Sequence, residues 1–156
     1  MRADTASLAT VATREYALRR KTAMTAVAAN QLAHEQAMVL LRPWAAIALL
    51  AGGTVPQLEQ DVADRTDEAT PIQFAKLIVA IDLCSRAEWV AALATARDRA
   101  VEAAERNPDH VERARGLQRL ARYFAHDPAG QDHVPPYRPF EPVPTGDTAQ
   151  PMKDAA

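Results

Sequence analysis

The chain has a single cysteine, Cys84, so no internal disulfide can form and stability must come from packing. A lone thiol fits a reducing, cytoplasmic setting. Its place in the apolar run 77–84 marks it as a buried, inert side chain rather than a nucleophile. Lysine is also scarce, three residues against fifteen arginines, a bias that a GC-rich bacterial genome produces without any functional demand. Glycine is too sparse for a phosphate-cradling loop: Gly52-Gly53 runs into Thr54-Val55-Pro56 with no lysine behind it. The eight aromatic residues offer no platform on which single-stranded bases would stack. Long hydrophobic runs are missing as well. The greasiest stretch, 38–51, is interrupted by Arg42 and Pro43 and falls short of the about twenty apolar residues that a membrane span requires. It reads as a buried helix, and the first five residues lack the apolar core of a secretory signal.

What is present divides the chain in two. Thirty of its 34 alanines precede His126, whereas seven of its eleven prolines follow it. Alanine is the best helix former and proline removes a backbone donor, so the two parts have opposite conformational preferences. The sequence therefore predicts an all-α domain over 1–126, a bundle of four to five helices, followed by a proline-rich tail over 127–156 that is extended or disordered. Because alanine contributes so much of the apolar content, helix contacts should be thin and close, with a partner subunit completing them. Net charge is only −2, but it comes in blocks: +3 over 1–42, −4 over 43–85, +2 over 86–126 and −3 over the tail. Such alternation reads as solvated faces and also suits head-to-tail association.

Helix boundaries are marked by cap chemistry. A first helix is expected over 5–41, bent or ended by Pro43, with 44–51 continuing as a kinked or separate short helix that Gly52-Gly53 terminates. Thr54 should cap a short acidic helix over 55–67. Thr70-Pro71 reads as an N-cap followed by proline at the first helical position. The segment 72–84 is apolar on nearly every side, which predicts a helix in the middle of the bundle; taken alone, 76–83 would equally pass for a buried strand. Ser85 and Glu88 have the form of a capping box opening a helix to Arg106. Asn107-Pro108 repeats the cap-and-proline device before a last helix over 108–125, with Val111, Ala114, Leu117, Leu120, Ala121 and Phe124 on its apolar side.

No motif fixes a chemistry. His34-Glu35 begins like a zinc-protease helix, but position 38 is methionine; Gln31 likewise breaks the Glu-x-x-His pattern of di-iron bundles. His126, Asp127, Asp132 and His133 are close in sequence but lack metal-site spacing. No catalytic residue, metal ligand or cofactor is assigned.

Two functional readings remain. The preferred one is a small non-catalytic helical protein acting through protein–protein contacts, as a structural subunit, assembly factor or adaptor, with a protein partner or a second copy of itself. In the tail, Tyr137, Arg138 and Phe140 are the expected partner-binding anchors, because a stiff proline-rich segment loses little entropy on docking. The alternative is a small nucleic-acid-binding or regulatory protein of the kind mobile elements encode. It would use Arg14, Arg19, Arg20 and Lys21 on the first helix and the stripe Arg115, Arg119 and Arg122 on the last to follow a phosphate backbone.

Overall fold

Every regular element in the computed structural model, which describes residues 7–125, is helical, and no strand occurs among the described residues. Among the described residues there are six α-helices rather than four or five: α1 (Leu8–Ala28), α2 (His34–Leu50), α3 (Glu59–Arg65), α4 (Ile72–Leu83), α5 (Arg86–Arg106) and α6 (Val111–Ala125). Short 3₁₀ turns, Pro56–Leu58 and Pro108–His110, lead into α3 and α6. By internal packing Met1–Leu120 forms one unit and Ala121–Ala156 a second, of which only 121–125 are described. The expected anchors Tyr137, Arg138 and Phe140, and the cluster His126, Asp127, Asp132 and His133, lie outside the described residues.

The predicted first helix is in fact two. Asn30 adopts φ 60°, and its amide bonds to the Val27 carbonyl (3.0 Å) while that of Gln31 reaches back to Ala26 (2.9 Å). This closing pattern usually needs glycine, and asparagine substitutes because it tolerates the left-handed region. Pro43, by contrast, neither ends nor divides its helix: it is buried within α2, which runs unbroken from His34 to Leu50. Its missing amide leaves the Val39 carbonyl without a helical donor. Val39 is on an exposed part of the helix, where water can take that role.

Of the remaining boundaries, those at Ser85 and Asn107 carry the expected side-chain caps, whereas Thr54 and Thr70 do not cap the helices that follow them. Ser7 Oγ accepts from the Thr10 amide at 3.0 Å to open α1. Ser85 Oγ accepts from the Glu88 amide at 3.1 Å to open α5. The Glu88 carboxylate does not return to Ser85; it accepts from Arg42 Nη2 at 3.1 Å and ties α5 to α2. Asn107 Oδ1 accepts from the Asp109 amide at 2.9 Å. Thr54 caps nothing: the turn into α3 starts from Val55 with no side-chain cap, and the Thr54 amide donates to Thr13 Oγ1 at 3.1 Å, pinning the loop after α2 onto α1. α4 begins one residue after Pro71, and Asp67 collects the amides of Ala69 and Thr70 ahead of it.

The centre of the body is α2, not α4. Pro43, Trp44, Ala45, Ala46, Ile47, Ala48 and Leu49 are all buried in succession, because α1, α4 and α5 pack around this helix. The stretch 38–51 is thus the buried helix its composition predicted. Among the described residues, 12 of the 25 buried apolar residues are alanine, so few large side chains carry the core; Ile47, Leu93, Leu117 and Leu120 are the largest fully enclosed. Close approach replaces bulk. At Gly116 an added Cβ would sit 2.9 Å from Val11 Cγ1, which shows how tightly α6 meets α1.

The end of α2 is equally tight. Gly52 takes φ 88°, and the Gly53 amide bonds to the Ala48 carbonyl at 2.7 Å. A Cβ on Gly53 would collide with the Thr13 hydroxyl and lie 3.0 Å from the carbonyl oxygens of Ala48 and Ala9. Two of those obstacles are backbone and cannot swing away. Gly53→Ala should therefore destabilise the fold by about 1–3 kcal/mol, read as a lower urea midpoint with unchanged slope.

Candidate functional site

Arginine and glutamate meet at one buried point. Glu15 on α1 is almost fully enclosed, and its carboxylate accepts from Arg113 Nη2 (2.6 Å) and Nε (3.1 Å) on α6 and from Arg19 Nε (2.8 Å) one turn along α1. The Arg19 guanidinium also stacks 4.0 Å from the Trp44 ring of α2. Burial lowers the Arg19 pKa, with Glu15 opposing it, whereas the hydrogen bonds of Glu15 raise that of Arg113. This arrangement is a three-helix clamp, and it uses a residue from one of the basic clusters that suggested a phosphate-binding surface. Glu15 itself carries no signal in the sequence beyond being the one acid within 5–34.

The other basic residues are dispersed. Arg14 is exposed on α1, and Arg115 pairs with Glu112 at 3.4 Å on the surface of α6. Arg119 is half-buried, and Arg122 is exposed in the last turn. Arg20 and Lys21 line an open groove of about 590 Å³ along α1, together with Tyr16, Met24 and Gln57. Its wall is held by the Tyr16 hydroxyl, which donates to Gln57 Oε1 at 2.9 Å. Among the described residues no carboxylate lines this groove.

The most unusual surface is on α4. Its inward residues are small, Ala75, Val79 and Ala80, all buried. Its outward residues are large: Phe74 is 57 % exposed, Ile78 36 % and Ile81 70 %, with Leu77 half-buried between them. Spacing of three and four residues places these four side chains on one stripe. A helix packed only for its own body would do the reverse, burying bulk and exposing polar groups. The two charges on α4 do not interrupt the stripe. Lys76 Nζ donates to the Gly52 carbonyl at 3.2 Å, and Asp82 accepts from Arg65 Nη2 at 2.8 Å. Ile72 adds further exposed apolar surface at the start of the helix. The prediction that α4 occupies the middle of the bundle is thus corrected: the body covers one side and leaves the other open.

Among the described residues no group of three or more His, Cys, Asp or Glu side chains is arranged to hold a metal. No helix there is long and apolar enough to cross a membrane. Cys84 is half-buried, and burial pushes its thiol up to about 11, with Glu88 adding to the rise and Arg42 opposing it. Protein-family models give no match to this chain, and comparisons with curated proteins and with solved structures give none either.

Two outcomes follow from these environments. Glu15→Ala leaves two guanidinium groups around an emptied site and should lower stability by about 3 kcal/mol in urea melts, towards the low end for a broken buried pair because both arginines reach solvent. A rise from 9.0 to about 11 removes most of the Cys84 thiolate at pH 8, and the greater nucleophilicity of a high-pKa thiolate offsets only part of that loss, so iodoacetamide should label native Cys84 at least tenfold more slowly than the urea-unfolded chain.

Proposed function

We propose that this is a small non-catalytic helical protein that works through protein–protein contacts, as a structural subunit, assembly factor or adaptor. The observation that carries this reading is the inverted apolar face of α4: alanine and valine turned inward, phenylalanine and isoleucine turned out. Contiguous apolar surface of this kind is a liability in water unless something covers it. The arginine-rich composition is no obstacle, since Arg19 and Arg113 are engaged in the internal clamp and Arg115 in a surface pair. Tyr137, Arg138 and Phe140 supply a second set of anchors under the same proposal. The nucleic-acid reading has weaker support, which comes from the groove where Arg20 and Lys21 adjoin a concavity.

The discriminating measurement compares the intact chain with the double variant Phe74→Lys/Ile81→Lys, both checked for helicity by circular dichroism. Association with protein, measured by light scattering and by co-purification from the native cell, should fall at least tenfold in the variant. Unchanged association would remove α4 from the proposal. Duplex DNA binding that falls steeply with salt and is lost in Arg20→Ala/Lys21→Ala would favour the alternative instead.

A further inference from the structure

We propose that the groove along α1 is a binding site for an alkyl phosphate, a phosphate monoester carried on an apolar chain. The site is separate from α4, so its fate leaves the protein-contact reading where it stands. One wall is a stripe of α1 that runs from Thr13 through Tyr16, Arg20 and Met24 to Ala28. Spacings of three and four residues keep these positions on one face, which at 1.5 Å per residue is about 22 Å long. The other wall is the loop after α2, with Thr54, Pro56 and Gln57. Hydrogen bonds hold the two walls together. The Thr54 amide donates to Thr13 Oγ1 at 3.1 Å, and the Tyr16 hydroxyl donates to Gln57 Oε1 at 2.9 Å. The cavity between them, about 590 Å³, has the size of a small-molecule site.

Charge selects the head of the ligand. Arg20 and Lys21 adjoin in the middle of the stripe, and among the described residues no carboxylate lines the cavity with them. Glu15, the one acid within 5–34, is turned to Arg19 and Arg113 instead. A second concavity, lined by Asp61, Asp64 and Asp82, shows the contrast: its Arg65 is answered by Asp82 at 2.8 Å. Two neighbouring cations repel each other, and a phosphate monoester with nearly two negative charges at pH 7 relieves that repulsion. Arg20 is half-buried, with its guanidinium beside the buried Tyr16 hydroxyl, so that burial raises the Tyr16 pKa and Arg20 opposes the rise. The hydroxyls of Thr25 and Thr54 line the same cavity and can donate to the remaining phosphate oxygens.

Shape selects the tail. Beyond Arg20 the stripe continues through Met24 to Ala28, a distance of about 12 Å that fits an extended chain of about eight carbons. Methionine is unbranched and pliable, and so adapts to such a chain. A nucleic-acid backbone suits the groove less well. It gains from a row of cations, each neutralising one phosphate, whereas here two cations give way to apolar surface.

The test titrates the full chain with octyl phosphate, using inorganic phosphate and octanol as head-only and chain-only controls. Binding is followed by NMR at the Met24 methyl and the Tyr16 ring. Octyl phosphate should saturate both signals with a dissociation constant of about 0.1–1 mM, modest because the groove is open. Each control should bind at least tenfold more weakly. Arg20→Gln/Lys21→Gln should weaken octyl phosphate at least tenfold and leave octanol unchanged. Lys21 is exposed, so Lys21→Gln alone keeps the fold and should still weaken binding at least threefold. No saturation by about 10 mM, octanol binding as tightly as octyl phosphate, or an affinity unmoved by either variant would overturn the inference. So would displacement of octyl phosphate by micromolar duplex DNA, which assigns the groove to a nucleic-acid backbone instead.

Discussion

A single carboxylate joins three of the six helices. Glu15 is removed from water on α1, a position that would be prohibitive for a charge without compensation. Arg113 meets it with a two-pronged contact from α6, and Arg19 donates a third bond to Oε2 while its guanidinium lies over the Trp44 ring of α2. About half of the buried apolar residues among those described are alanines, so the ion pairs add a directional contact to an interior of small side chains. Alanine lets helices come close without stating which faces should meet. The buried ion pairs state it, as a polar group in a hydrophobic seam specifies register. The hydrogen bonds from Thr54 to Thr13 and from Tyr16 to Gln57 extend the same logic along α1, fixing the loop after α2 against it.

The alanine content also explains the open face of α4. A helix lined inwardly by Ala75, Val79 and Ala80 can lie close on α2, and the core it helps form has no room for larger groups there. Its bulky residues are consequently displaced to the outside. In a monomer that distribution forfeits burial; in an assembly it is the burial. The thin core and the apolar exterior are two consequences of one packing choice, and the proposed function grows from the second.

Much of the architecture was legible residue by residue. Ser85, Asn107 and the Gly52-Gly53 pair mark their boundaries because cap chemistry is local: the donor or acceptor that satisfies an orphan backbone group lies within three residues of it. The break at Asn30 was not legible, since no apolar interruption accompanies it and asparagine in a left-handed turn looks like any polar residue on a helix. Pro43 misled in the opposite direction, because a helix continues through proline when the ring is packed and the carbonyl it frees, that of Val39, is on an exposed turn that water reaches. The basic clusters were visible as clusters, and Glu15 stands one turn before Arg19, but nothing local revealed that this pair turns inward to meet Arg113 while Arg20 faces a groove.

By itself, then, the order of residues determined that the body would be built of helices and where several of them would start and stop, because propensity and capping act over one turn of chain. Only the tertiary arrangement decided that α2 rather than α4 is enclosed, that Glu15 becomes the meeting point of two arginines, and that Phe74, Ile78 and Ile81 are left in water. Those outcomes depend on which of two apolar helices the others surround, and that is settled by competition for a limited interior, which no single segment records.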